Sequence, residues 1–522
     1  MALPDRESGN VLADGVDPQA AWVRRLALIA FAIGVLVYRD SIMDDTFIHL
    51  QYARNLRATG QLAFNLGEPS QGATSPLWLL ILAATNAGEP TARLLSVACG
   101  ALSVLVFGSV ARRVLGRGAW AAAATVAWGG SLWLVRHAPN GMETAAGALS
   151  LLTVIDLRLR GGRSLMRDAL FGGALAAAIL VRPEALLLAA IFAVQDARTA
   201  WGRARLMVWL PVLALPVVAW LWFAHARTGH LLPVTGAAKS GGLRLEPFVW
   251  LRVLWRELRV LGGAHAAELA GLATAAVLAL RLEGRKTLRA ALDHSLAPYG
   301  AFVVLLVGVY ALEDLQVQPR YLILTLPWVV LAGFAAWRRV LGSAARVAAC
   351  VAVASLLVGA IFGACTVYPS TRDFARGIRD VLKPMALDIA SRDMPHVVVA
   401  SPDIGVLGYF SKARILDLGG LVDPRVQTMV DAQGYDAMLE TGSFLDLGLP
   451  DFVVDRSPER ERFAGHVTRD LHWRALRTGA VRGLGISRPQ TYYYTLYALE
   501  PASAFGSRPP LHGTTEELAQ RR

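Results

Sequence analysis

Acid is scarce in this 522-residue chain: 40 Asp and Glu stand against 52 Lys and Arg, and charged residues of all kinds reach only 18%. Soluble chains carry about 25%, so a wholly soluble fold is excluded. The apolar residues, 54% of the total, gather instead into long segments. Cysteine is scarcer still. Cys99, Cys350 and Cys365 all fall in or beside apolar segments, and the last two would lie about 22 Å apart on one helix, too far to bridge. Neither a disulfide framework nor a metal-ligand spacing is present. The chain also lacks any basic, aromatic-studded soluble module, which sets aside nucleic acid as the partner behind its +12 net charge. Arginines in short loops between membrane spans account for that charge. No internal or inverted repeat is visible.

What is present is a series of apolar segments, at residues 26–37, 94–110, 119–135, 142–155, 169–181, 185–194, 207–224, 261–280, 296–312, 322–337 and 347–362. Arg24-Arg25 precedes the first with no small-residue cleavage pattern behind it, which reads as a retained signal anchor. The stretch 169–194 is long for one span and short for two, with Arg182-Pro183-Glu184 at its middle. Arginine clusters follow the second and fourth segments (Arg112, Arg113, Arg117; Arg158, Arg160, Arg163, Arg167), and others precede Met207 (Arg198, Arg203, Arg205), follow Leu280 (Arg281, Arg285, Lys286, Arg289) and separate the last two segments (Arg338, Arg339, Arg346). They fall on one side only if 169–194 crosses twice. The expected fold is therefore a mainly α, polytopic membrane helix bundle of about eleven spans, with the N-terminus inside. Outer loops are expected at 39–93 and 226–261. Within the second, EPFVWLRVLWRELRVL places Phe248, Leu251, Leu254, Trp255 and Leu258 at helical spacing, as an interfacial amphipathic helix would.

Beyond Phe362 the pattern changes. HVVVAS, RILDL, DFVVD and TYYYTLYAL read as short strands, with helical stretches between Thr371 and Ala390 and from Asp423 to Leu439. Residues 1–368 thus form a membrane module, 369–502 an extracytoplasmic α/β domain, and 503–522 a disordered tail. Asp403, after a strand and before GVLGYF, reads as a turn or cap residue with ligand binding as the alternative.

With this topology the outer ends of the spans collect ionisable groups: Asp44 and Asp45; Arg136, His137 and Glu143; Arg182 and Glu184; His225, His230 and Lys239; Glu313, Asp314, Arg320 and Tyr321. Such groups are costly near a bilayer and usually face a cavity or a partner. Both signs on one side point to an outward polar cavity that binds an anion and moves protons. Structural alternatives stand beside each: an aspartate of the pair caps the helix DTFIHLQYARNL, Glu143 caps the fourth span, and Arg182 pairs with Glu184 across a hairpin.

In their order and loop placement, MDDTFIHLQYARNL with LAFNLGEPSQGATSPLW, then PNGMETA, LVRPEALLL, LPVTGAAKS, QPRYLILTLPW and SPDIGVLGYFSKARILDLGGLVDP resemble the GT-C superfamily of polyprenyl-phosphate-sugar-dependent membrane glycosyltransferases. The nearest likeness is to relatives of the mycobacterial terminal arabinofuranosyltransferase. The resemblance runs from Asp40 to Pro424. It implies a general base in the acidic pair, Asp44, with Asp45 orienting the acceptor or a metal, or the reverse. It implies that Lys239 and Arg320, with Tyr321, hold the donor phosphate, and that Glu143, Arg182, Glu184 and His49 line the sugar pocket. Whether Asp44 and Asp45 hold a divalent cation (Mg, Mn or Ca) stays open, and no other cofactor is implied.

The expected activity is inverting transfer of a sugar, arabinofuranose by the narrower likeness, from a polyprenyl-phosphate donor to a cell-envelope glycan or glycoconjugate. The reaction would take place at the outer face of a bacterial inner membrane, among membrane lipids. An outward site cannot reach cytoplasmic nucleotide sugars, fixed cations would stabilise the departing phosphate, and a carboxylate would take the acceptor proton. The alternatives are a transporter or flippase, which midplane polar groups and a repeat would favour, a polymerase or ligase of lipid-linked sugars, and a non-enzymatic membrane anchor.

Overall fold

The computed structural model describes residues 18–162, 164–231, 233, 246–282, 296–315, 318–392, 394–486 and 488–501. Every apolar segment is helical. Helix α1 (Pro18–Val37) leads into an outer loop of α2 (Asp44–Thr59), a small hairpin β1–β2 (Ala63–Asn65, Glu68–Pro69) and α3 (Pro76–Ala84). The bundle continues through α4 (Glu89–Leu115), α5 (Ala119–Gly129), α6 (Leu132–His137), α7 (Thr144–Leu159), α8 (Leu165–Val181), α9 (Ala185–Ala197) and α10 (Ala200–Thr228). It closes with α11 (Pro247–Leu282), α12 (Ala297–Leu312), α13 (Leu326–Leu341) and α14 (Ala345–Phe362). Among the described residues six helical segments are long and apolar enough to cross a membrane, namely those starting at Gln19, Glu89, Ala200, Pro247, Leu322 and Ala345. The others, α5 and α7–α9 with α12, are shorter. Segment 169–194 is two helices, α8 and α9, broken at Arg182-Pro183-Glu184 because proline restricts the residue before it to extended conformations.

The surface of α1 explains its place. Trp22, Leu26, Ile29, Ile33 and Leu36 are exposed at alternating spacings of four and three, an apolar stripe facing outward, while Ala27 and Phe31 pack inward. At one end of the bundle the arginines meet acids: Arg158 and Asp196 lie 2.7 Å apart, Arg205 and Asp168 2.8 Å, and Asp156 takes both Arg113 and Arg160. The opposite end carries α2, α3 and the C-terminal domain.

The amphipathic stretch after Glu246 is helical, as expected; it forms the first half of α11, two helices joined across a kink at His265, where the backbone leaves helical geometry. Its Phe248, Leu251, Trp255 and Leu258 are exposed, whereas Glu257 is buried. Helix α2, with two acids in its first turn, Arg57 in its last and Gly60 as left-handed cap, suits its own dipole, but it is buried on nearly every side.

What buries α2 is the C-terminal domain. Helix α14 runs on without a break, through a π turn at Gly363–Val367, into α15 (Tyr368–Gly377), a second π turn and α16 (Lys383–Ser391). A six-stranded mixed sheet follows, in the order β4-β3-β5-β8-β7-β6, built from β3 (Val398–Ser401), β4 (Arg414–Asp417), β5 (Phe452–Ser457), β6 (Val467–Thr468), β7 (Leu471–Val481) and β8 (Tyr492–Pro501). Strands β3, β4 and β5 pair in parallel; β5–β8, β8–β7 and β7–β6 are antiparallel. Helix α17 (Gly405–Ser411) links β3 to β4, and α18 (Pro424–Gln433) and α19 (Tyr435–Thr441) precede β5. Phe47, Leu50 and Tyr52 of α2 and Trp78 of α3 share one apolar core with Met385, Ile404, Val406 and Leu407. The Phe47 ring packs tilted against those of Tyr409 and Phe410, with centroids 5.6 and 5.2 Å away. Each such large side chain contributes about 1.5–3 kcal/mol on burial, so loop and domain form one unit.

Candidate active site

Consecutive residues on a helix point about 100° apart, and the acidic pair is divided accordingly. Asp44 turns to the C-terminal domain: its two carboxylate oxygens accept from the backbone N–H groups of Gly405 and Val406, each at 2.8 Å. The approach is so close that a Cβ on Gly405 would collide with the Asp44 carbonyl. Burial pushes the Asp44 carboxyl up to about 7, with the negative charge of Asp403 adding and the two amides opposing. Asp403 itself is held by Arg456 at 2.8 Å and by the Tyr494 hydroxyl at 2.7 Å. The expectation that Asp44 is the base meets this obstacle: both its oxygens are occupied by backbone donors, away from the cavity.

Asp45 faces the cavity. That hollow, about 30 Å³, is lined by Asp45, Ile48, His49, Gly72, Thr74, Met142, Glu143, Arg182, Arg320, Tyr321 and Leu421. Arg320 Nη2 donates to Asp45 Oδ2 at 2.7 Å and to the Tyr321 hydroxyl at 3.3 Å, and its Nη1 donates to the Met142 sulfur at 3.3 Å. Burial opposes its charge, but Asp45, Tyr321 and Glu143 hold the guanidinium charged, above its ordinary pKa. Arg182 Nη2 donates to the Arg320 carbonyl at 3.0 Å and lies 3.3 Å from Glu143, while its Nη1 lies 3.6 Å from Glu184. His49 Nε2 and Glu143 Oε2 are 3.5 Å apart. The Nε atoms of Arg182 and Arg320 are buried with no hydrogen-bond partner among the described residues, two donors that an anionic oxygen would satisfy.

The scaffold behind these groups is legible. The turn PNGMET presents Glu143 because its backbone is pinned from three sides: Thr46 Oγ1 donates to the Asn140 carbonyl at 2.8 Å, Trp78 Nε1 to that of Gly141 at 3.2 Å, and Ser96 Oγ to that of Met142 at 2.9 Å. Arg93 donates to the carbonyls of Pro139 at 2.8 Å and Ser41 at 3.0 Å, joining this turn to the start of α2. Glu184 sits behind the cavity wall, accepting from the Tyr310 hydroxyl at 3.2 Å, rather than in the lining. Lys239 lies outside the described residues.

Leu421 was not anticipated, nor were Thr74, Met142, Ile48 and Gly72. Leu421 belongs to the C-terminal domain, on the turn LDLGGLVD, where buried Asp417 accepts from the amides of Gly419 at 2.9 Å and Val422 at 2.6 Å. Burial pushes that carboxyl up to about 6. The next residue, Val422, seats against Gly72, where a Cβ would be 2.6 Å from it. The domain therefore roofs the cavity. A divalent cation is not supported by the donor set: Asp44 and Asp45 diverge, and among the described residues no three His, Cys, Asp or Glu are grouped to hold a metal.

Comparison with known proteins bears on the fold. The crystal structure of ArnT from Cupriavidus metallidurans in the apo state superposes with a TM-score of 0.54 at 14% identity, over 92% of this chain and 98% of that one. The same protein bound to undecaprenyl phosphate gives 0.53 at 14% identity, over 91% and 98%. The oligosaccharyltransferase of Archaeoglobus fulgidus, tethered with an acceptor peptide containing the NVT sequon, gives 0.50 at 11% identity, over 83% and 69%. The fold is of the GT-C type. A family model for a domain of unknown function, DUF8728, matches residues 377–497, within the C-terminal domain. Among curated proteins none matches this sequence. These neighbours carry the GT-C architecture expected from the sequence; they do not bear on the narrower likeness to the mycobacterial arabinofuranosyltransferase.

Proposed function

We propose that this chain is a GT-C glycosyltransferase that moves a sugar from a polyprenyl-phosphate carrier to a cell-envelope glycan or glycoconjugate, with Asp45 as the general base. One observation carries the reading: a carboxylate, Asp45, and two buried guanidiniums, Arg182 and Arg320, converge on a single hollow beneath the C-terminal domain. That ArnT has been solved with undecaprenyl phosphate and the archaeal enzyme with an acceptor peptide supports a lipid-linked donor and a separate acceptor.

In the reaction, Asp45 takes the proton of the acceptor hydroxyl. The freed oxygen attacks the anomeric carbon, and the bond from that carbon to the phosphate oxygen breaks. The electron pair leaves with the polyprenyl phosphate, whose developing charge Arg320 and Arg182 stabilise, an arrangement worth several kcal/mol. Tyr321, its ring under both guanidiniums at 5.2 and 5.6 Å, holds them apart from bulk water. His49, Glu143 and, behind them, Glu184 shape the sugar pocket. A single displacement inverts the anomeric centre. Arg320 is engaged by Asp45, so the arriving phosphate also frees the base by drawing Arg320 away from it. The present hollow holds about one water, and Leu421 is the wall that yields to admit the sugar. Arabinofuranose is the sugar that the narrower resemblance implies. Catalysis belongs to the extracytoplasmic side of a bacterial inner membrane, with residues 1–368 as catalytic module and 369–502 as acceptor-facing domain.

The test is transfer from labelled polyprenyl-phosphate sugar in membranes carrying Asp45→Asn or Asp44→Asn. Asp45→Asn should lose about 10²–10⁴-fold in turnover, while Asp44→Asn retains transfer per folded molecule. Wild-type turnover in Asp45→Asn would end the assignment.

A further inference from the structure

A second hollow lies at the other end of the bundle. It encloses about 360 Å³ between the start of α1, the end of α4, the first turn of α5 and the start of α14. Arg24, Arg112 and Arg117 line it. Roughly 28 Å of helix α4 separates Arg112 from Arg93, which braces the active-site turn, so this is not part of the catalytic cavity.

Its electrostatics differ from those of its surroundings. Arg113, Arg158, Arg160 and Arg205 at this end have their own acids, whereas Arg203 and Arg338 donate to backbone carbonyls. Arg24 donates only to a backbone carbonyl, that of Ala20 at 3.2 Å, and neither it, Arg112 nor Arg117 has an ion-pair partner among the described residues. Among the described residues the lining contains no carboxylate, and the rest of the wall is mostly small and apolar, with Val23 and Ala121 beside Gln19 and Thr125. The first turn of α5 adds unsatisfied amides, since its N-cap Gly118 offers no side chain. Three like charges about one hollow repel one another unless an anion joins them.

We propose that this cavity is a binding site for a phosphate ester, held as the headgroup of an anionic phospholipid. The guanidiniums and the α5 amides take the phosphate oxygens, and the apolar wall, open to the lipid between helices, takes the start of the acyl chains.

Full-length protein is purified in a neutral detergent and given phosphatidylglycerol, phosphatidylcholine or inorganic phosphate. Bound lipid is counted by native mass spectrometry and the thermal midpoint is followed. The expected result is selective retention of phosphatidylglycerol with a raised midpoint, and about thirty-fold weaker retention in Arg112→Gln/Arg117→Gln. Arg198→Gln/Arg203→Gln removes equal charge from the same end but outside the cavity, and should keep wild-type retention. Three results would each overturn the proposal: equal retention of phosphatidylcholine, equal losses in the two double variants (attraction of the whole basic face), or equal stabilisation by inorganic phosphate (a free-anion site). The comparison of ligands on wild-type protein stands even if the cavity variant fails to fold.

Discussion

Replacing Asp44 with asparagine keeps the shape of the side chain and removes its charge, and the consequence depends on pH in a way the geometry fixes. In the folded chain the carboxyl is pushed from 3.8 to about 7 by burial and by Asp403, despite two amide donors. The folded state therefore holds a proton that the unfolded state has released. For a carboxyl raised on folding, this contribution is fully present below the unfolded value and is lost as pH rises through the folded one. A single group changes stability by up to about 1.4 kcal/mol per pH unit across that window, hence roughly 2 kcal/mol between pH 5 and pH 7. Asparagine cannot titrate. Near pH 5 the neutral acid and the amide each offer the Gly405 and Val406 amides one acceptor oxygen, and the two proteins should unfold within about 1 kcal/mol of each other. As pH rises the wild type alone weakens. Thermal unfolding of the detergent-purified chain at pH 5, 6, 7 and 8 measures this directly. The variant's midpoint should gain on the wild type's across the series, levelling off above pH 7. Parallel curves would refute the reasoning, because they would mean that the Asp44 carboxyl is solvated or already ionised at pH 5.

Two further outcomes are expected. Glu257 is buried in α11, both its oxygens without a hydrogen-bond partner among the described residues; Glu257→Leu should raise the thermal midpoint, since an unsatisfied buried polar group costs about 1–3 kcal/mol, and a lowered midpoint would show that the carboxyl has a stabilising partner. Leu421→Ala opens the roof of the cavity, so water should compete with the acceptor; release of free sugar from labelled donor should rise relative to transfer, and an unchanged ratio would remove Leu421 from the site.

The bundle was readable because its signal is local. Length and hydropathy mark each helix, and Arg182-Pro183-Glu184 marks the break between α8 and α9. Strands β3, β4, β5 and β8 announce themselves as runs of Val, Ile and Tyr. Strand β7 does not: LHWRALRTGAV carries arginines at 474 and 477, and a register shift between Ala475 and Arg477 breaks its alternation. The amphipathic half of α11 looked separate because Glu257 and the arginines interrupt its apolar run, and Gly262-Gly263 with a non-helical His265 mark the kink that divides it from the span. Sequence also grouped Asp45, His49, Glu143, Arg182, Arg320 and Tyr321, all of which line one hollow. Leu421 was out of reach, since nothing within its own turn signals a partner more than three hundred residues earlier. The division of labour between Asp44 and Asp45 has the same cause. Either can cap a helix or take a proton, and what decides between them is a pair of amides at Gly405 and Val406.

That division ties the proposed base, Asp45, to the domain. Asp44 and Asp45 share the first turn of α2, so anything that shifts the contact with Gly405 moves the Asp45 backbone by a comparable distance. The same domain supplies Leu421 through a turn built on Asp417. If an arriving acceptor displaces that turn, it moves the roof and, through β3 and α17, the amides that hold Asp44. Roof and base are then two ends of one lever, and a shift of about 1 Å at the reacting atoms is enough to cost a hundredfold in rate. An adjacent acidic pair is the shortest way to build such a lever from sequence: one carboxylate anchors the helix to the C-terminal domain, and its neighbour, rotated by about 100°, faces the cavity as the proposed proton acceptor.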